Sequence, residues 1–163
     1  MIKLTLKADA ADAADKVDST LTLPLQSRVK SRLRVTLDNG ETAGLFLERG
    51  TTLMNGDLLL ADGGYRVRVI AAQENLSIIR SEDPHLLARA CYHLGNRHVS
   101  IQIEANQVSY LHDHVLDDML RGLGLTVETT DAPFEPEPGA YGGSAEKGHR
   151  HHAHEHENAH DHH

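Results

Sequence analysis

The chain has a single cysteine, Cys91, among its 163 residues. No internal disulfide can form and no thiolate cluster can hold a metal, which fits a reducing compartment and leaves histidine as the available ligand. Long apolar runs are also missing, and none approaches the roughly 20 residues of a membrane span. Met1 to Lys7 alternates apolar with polar residues and does not resemble a signal peptide, so a cytoplasmic protein without a membrane partner is expected. The formal charge of −8 lacks the basic excess that a phosphate backbone demands, which argues against a nucleic-acid partner. His-Glu-x-x-His is absent too, and no serine or cysteine sits in a recognisable nucleophile setting, so the metallohydrolase class is disfavoured.

What the chain does have is imidazole. The last fifteen residues contain eight histidines, His149, His151, His152, His154, His156, His160, His162 and His163, interleaved with Glu155, Glu157 and Asp161. Neutral imidazole suits nickel, copper and zinc, and short loops between the rings let a mobile chain wrap an ion without a preformed pocket. A purification tag is usually an uninterrupted run, whereas this stretch alternates His with Ala, Glu, Asp and Asn. From Asp131 onward seven acids face only Lys147 and Arg150, so this part of the chain carries most of the negative charge and favours cations.

An apolar share of 39% is enough to build a core for one ordinary domain or two small ones. From Ile2 to about Gln73 short alternating runs read as strands: Ile2, Leu4, Leu6; Leu21, Leu23, Leu25; Leu33, Val35, Leu37. Asp38-Asn39-Gly40 and Asp62-Gly63-Gly64 supply the positive φ angles of tight hairpins, which makes residues 1–73 a small all-β domain of meanders. The alternation Arg28, Lys30, Arg32, Arg34 reads as the solvated face of one strand, with a partner-binding edge as the alternative.

The period then changes. Asn75 to Ser81 reads as a strand, Asp83-Pro84 caps a helix whose apolar stripe is Leu86, Leu87, Ala90, Cys91 and Leu94, and Gly95-Asn96 ends it. Strands around Val99 to Glu104 and Val108 to Leu111 follow. Asp113 caps a second helix with Asp117 and Asp118 near its favourable N-terminal end and Val115, Leu116, Met119, Leu120 and Leu123 on one face, before Gly124 and a last strand, Leu125 to Thr129. The order β-α-β-β-α-β over residues 74–131 is that of a ferredoxin-like split βαβ domain. Beyond Asp131, Pro133, Pro136, Pro138 and Gly139 interrupt any period, and residues 132–163 read as a disordered, histidine-rich tail. The fold class expected is therefore mixed α and β, in the order all-β domain, ferredoxin-like domain, tail.

Three histidines in the folded part are candidate ligands. Val99, Ile101 and Ile103 share one face of the strand while His98, Ser100, Gln102 and Glu104 share the other, so His98 points away from both helices and is open to solvent, the neighbouring domain or a second copy. One imidazole cannot hold an ion, but a twofold axis near His98 would present two. His112 and His114 flank Asp113 at the start of the second helix, where a His-x-His pair can chelate, or can simply be a solvated helix start. His85 and His93 read as surface residues without a role.

The run Tyr92-His93-Leu94-Gly95-Asn96-Arg97-His98-Val99, with Asp113-His114-Val115-Leu116-Asp117-Asp118-Met119-Leu120 and Gly122-Leu123-Gly124, resembles the UreE family of urease accessory metallochaperones. The likeness extends through Pro133-Phe134-Glu135-Pro136-Glu137 and Gly139-Ala140-Tyr141 to the histidine tail. In the N-terminal half it includes Arg49-Gly50, Gly56-Asp57 and Val67-Arg68-Val69. The resemblance implies a cytosolic homodimer, not an enzyme, that carries Ni2+ to the urease apoprotein within a complex of accessory proteins including a GTPase. It implies that His98 is the main nickel ligand, given by each protomer at the dimer interface. His112 and His114 match positions of secondary metal sites, and the N-terminal domain resembles a peptide-binding domain. The residues alone do not select nickel, since nitrogen sites favour Cu2+ and also take Zn2+. A second class, metal storage or detoxification by the tail, differs in predicting several ions per chain that are lost when the tail is removed.

Overall fold

The computed structural model describes residues 1–8 and 16–139, and the eight histidines of the C-terminal stretch lie outside them. The N-terminal half contains β1 (Ile2–Ala8), β2 (Ser19–Leu23), α1 (Leu25–Arg28), β3 (Arg32–Thr36), β4 (Thr42–Phe46), β5 (Leu58–Ala61) and β6 (Arg66–Ala71). These strands form one sheet in the order β2-β6-β5-β1-β4-β3. Both expected glycine turns are present: Gly40, with φ 91°, closes β3 onto β4, and Gly63 and Gly64, with φ 87° and 86°, close β5 onto β6. The sheet is not a simple meander, because β1 runs parallel to β4 and β2 parallel to β6, so distant segments are joined edge to edge. Leu4, Leu21, Leu45, Leu53, Leu59, Val67 and Val69 fill its core.

The all-β expectation needs one correction here. Leu25 does not extend β2; Pro24 precedes a single helical turn, because its ring removes the amide that would continue the strand ladder. Arg28 lies in that turn and not on a solvated strand face. It is fully buried, whereas Arg32 and Arg34 on β3 are exposed as expected. Its Nε donates to the Leu23 carbonyl at 3.1 Å, one Nη to that of Leu53 at 3.3 Å and the other to that of Phe134. Burial lowers the guanidinium pKa, and the nearby carboxylates of Glu135 and Glu74 oppose that shift.

The C-terminal half contains β7 (Gln73–Arg80), α2 (Pro84–Asn96), β8 (Gln102–Glu104), β9 (Gln107–Leu111), α3 (His114–Gly122) and β10 (Val127–Pro133). Its sheet has the order β10-β7-β9-β8 with every neighbour antiparallel. Both helices start as their sequences indicate: the Asp83 carboxylate accepts from the amides of His85 and Leu86, and Asp113 accepts from those of Val115 and Leu116. Ile79, Ala90, Leu94, Val108, Tyr110, Leu116, Leu120 and Leu125 form the core between sheet and helices. Cys91 packs half-buried against it, and burial pushes its thiol pKa up, as for an inert core cysteine. No helix among the described residues is long and apolar enough to cross a membrane.

The segment after Asp131 departs from the expected tail. Ala132 and Pro133 continue β10 against Glu74 and Gln73, and Phe134 is fully buried with Leu76, Ile78 and Leu25 on the sheet face that the helices leave free. This apolar anchor, together with the Arg28 contact and a 2.5 Å hydrogen bond from the Asn55 amide to Glu135, ties the two halves together. Glu137 then donates its amide to the Ile101 carbonyl at 2.8 Å, so the chain leaves the described region close to the start of β8.

Candidate metal centre

His98 is exposed, as the sequence argument requires, but for a different reason. It does not sit on a strand, since β8 begins only at Gln102, and Ile103 on that strand is itself exposed. His98 follows the Arg97 C-cap of α2 with φ 58°, in the left-handed region. Its amide donates to the Gly95 carbonyl at 3.0 Å, and that of Val99 to Leu94 at 3.2 Å. These two bonds define a Schellman ending, and Val99 packs against the core that holds Leu94, supplying the usual apolar contact. The helix thus runs through Gly95 and Asn96 and is terminated by a histidine.

The second helix shows what normally stands in that place. At the end of α3 the Gly124 amide bonds Arg121 at 2.9 Å and the Leu125 amide bonds Leu120 at 3.1 Å, the same motif, and the left-handed residue is Gly124 with φ 96°. A β-carbon in this conformation costs about 1–2 kcal/mol that glycine avoids. The exposed imidazole of His98 is therefore held at a backbone cost that its place in the fold does not require.

His112 and His114 end up in unlike surroundings. His114 is the exposed first residue of α3. The His112 ring, with its side chain 37% exposed, points Nδ1 inward, 3.1 Å from Oδ2 of Asp117 and 3.0 Å from Oγ of Ser77. Asp117 and Ser77 are buried, and Oδ1 of Asp117 accepts the hydroxyl of the equally buried Tyr110. Burial first, and then the bond to Asp117, pushes the Tyr110 pKa well above its ordinary 10, so the phenol keeps its proton and donates. By sequence, Asp117 reads as one more acid at a helix N-terminus. The available signal was its place beside Leu116 and one turn before Leu120 and Arg121, where an acid on the buried side needs partners.

No group of three or more potential ligand residues occurs among the described residues. His98, His112 and His114 therefore do not form a closed site within one chain, and His149, His151, His152, His154, His156, His160, His162 and His163 lie outside the described residues. An exposed single imidazole suits a borderline metal as donor chemistry, but it needs ligands from a second copy or from elsewhere in the chain.

Comparison with known proteins bears on what such an incomplete site is for. The model of the UreE urease accessory protein N-terminal domain matches residues 3–72, and that of the UreE C-terminal domain matches residues 74–162. The chain belongs to the UreE urease accessory protein family. A urease accessory protein UreE of Pseudomonas putida (strain W619) is 61% identical over 142 residues, 86% of each chain. Those of Alkalilimnicola ehrlichii and Proteus mirabilis are 58% and 56% identical over 88% and 85% of this chain and 86% of their own lengths. UreE proteins are accessory proteins and not enzymes, so the candidate residues are not to be read as catalysts.

Proposed function

We propose that this protein is a cytoplasmic, homodimeric metallochaperone that takes part in urease maturation, carrying Ni2+ to the urease apoprotein with the other accessory proteins, the GTPase among them. Residues 1–73 act as the partner-binding domain. Residues 74–131, whose strand order β10-β7-β9-β8 supports a ferredoxin-like reading, carry the metal site and the dimer contact. Tyr92, Ile103, Leu111 and Val115 on this half are exposed, which leaves apolar side chains for a second copy to cover.

The observation that carries the reading is His98, an exposed imidazole at a left-handed helix terminus where the equivalent helix end uses glycine. Two copies of His98 across a twofold axis hold one ion, with further ligands from the histidine-rich stretch. Gly139 is the last described residue, and His149 lies ten positions further on, a reach of up to about 35 Å. Glu137 is bonded to Ile101, three residues from His98, so that reach includes the site. Imidazoles leave an ion one at a time, which suits transfer better than a closed four-ligand site. His112 and His114 are secondary ligands on the same half.

In cells that depend on the protein for urease, His98→Ala should lower nickel-dependent urease activation more than deletion of everything after Ser144. Equal activation by the His98 variant and the parent rejects the assignment. If deletion of the tail abolishes tight nickel binding altogether, storage by the tail is the better account.

A further inference from the structure

We propose that Asp117 is a positioning residue that fixes the His112 ring with Nδ1 protonated and Nε2 bare, making Nε2 the atom that accepts a divalent borderline metal. The inference rests on the nickel-carrier reading and adds to it the device that sets one of its ligands.

Three contacts define the device. The His112 Nδ1 faces Oδ2 of Asp117 at 3.1 Å and Oγ of Ser77 at 3.0 Å. Were Nδ1 bare, its lone pair would point at a carboxylate oxygen, an arrangement of two acceptors with no proton between them. A proton on Nδ1 resolves it by donating to Oδ2, and Oγ of Ser77 can share that proton while its own hydroxyl turns to the Tyr110 oxygen. The other carboxylate oxygen already accepts the Tyr110 hydroxyl, so Oδ2 is left to the His112 ring. Ser77, Tyr110 and Asp117 are 0%, 0% and 2% exposed, which keeps water from replacing any partner and holds the ring in one orientation. The outer edge of the ring reaches solvent, with the side chain 37% exposed. A carboxylate behind a histidine is the arrangement that fixes tautomer and raises basicity in metal ligands, and its loss typically weakens binding about 10–100-fold. His114, two residues on, has no such partner within hydrogen-bond distance among the described residues, which separates the two histidines of the pair.

The test uses the full chain, metal-free and labelled with 15N in its histidine rings, at a mildly alkaline pH where imidazoles are neutral. Long-range proton–nitrogen spectra should show His112 protonated at Nδ1 in the parent and in Tyr110→Phe, which removes the other donor to Asp117 but leaves the His112 contact. Asp117→Asn should move the ring toward the Nε2-protonated form, because the amide nitrogen can donate to Nδ1. Addition of Ni2+ should broaden the His112 signals in the parent, and in Asp117→Asn about 10–100-fold more nickel should be needed while the His98 response is unchanged. A role in stability alone would make Tyr110→Phe and Asp117→Asn alike. Nε2 protonation in the parent overturns the proposal, and that reading needs no variant to fold. Nickel that broadens His98 but never His112 also overturns it while leaving delivery through His98 intact. If nickel broadens neither, the carrier reading falls as well.

Discussion

Replacing His98 by glycine separates what this residue does for the fold from what it does for the metal. Its backbone sits at φ 58° in the Schellman ending of α2, and the same ending of α3 is built on Gly124. Removing the β-carbon relieves about 1–2 kcal/mol of left-handed strain. Against this, glycine adds freedom to the unfolded chain worth about 0.4–1 kcal/mol. The balance, taken at the middle of both ranges, is a gain of about 0.8 kcal/mol. For a chain of 163 residues, that raises the melting temperature by about 1–3 °C. His98→Ala keeps the β-carbon and the strain, so it should melt within about 1 °C of the parent. Both variants lose the imidazole and should lose the same tight nickel site. The assay is thermal or urea unfolding of chelator-treated protein beside nickel titration of the same samples. A lower melting temperature for His98→Gly than for His98→Ala would refute the reasoning, because it would mean that the terminus does not hold the residue in the strained conformation.

Asp113→Ala removes the carboxylate that accepts from Val115 and Leu116, and should cost about 1 kcal/mol in urea unfolding. Arg28→Met leaves the buried carbonyls of Leu23, Leu53 and Phe134 without their shared donor. A loss of about 3 kcal/mol or more is expected, with proteolytic cleavage appearing first near Phe134. Alkaline stability should report on Tyr110: its folded pKa is raised, so the unfolded chain gives up that proton first, and stability present below about pH 10 falls as pH rises, by up to about 1.4 kcal/mol per unit. Unfolding midpoints of Tyr110→Phe should decline less steeply over the same range.

Local signals carried much of this fold into the sequence. Asp83-Pro84 and Asp113 announce helix starts through capping chemistry, and Gly40 and Gly63-Gly64 announce hairpins through the conformations that only they adopt easily. Contacts between distant segments were not legible. Arg28 alternates with Lys30, Arg32 and Arg34 as a solvated strand would, and nothing nearby in sequence reveals three carbonyls waiting for its guanidinium, one of them 106 residues away. Phe134 lies among prolines that read as a tail, yet it covers the free face of the second sheet. His98 was legible as an exposed candidate ligand, but not as a helix terminus, because a histidine standing where glycine belongs gives no stop signal. Asp117 was hidden by a general rule, that acids favour helix N-termini, which holds here and conceals its buried partnership with Tyr110 and His112.

The claim on which the account turns is that one ion is gripped jointly by two copies of His98. Mass measurement of the intact assembly under non-denaturing conditions, with nickel added to the parent, to a chain ending at Ser144 and to His98→Ala, addresses it directly. A dimer with one tightly held nickel is expected in the parent and in the shortened chain, and a dimer without it in His98→Ala. A His98→Ala dimer that retains the same tightly held nickel, or a parent that carries its nickel as a monomer, contradicts it.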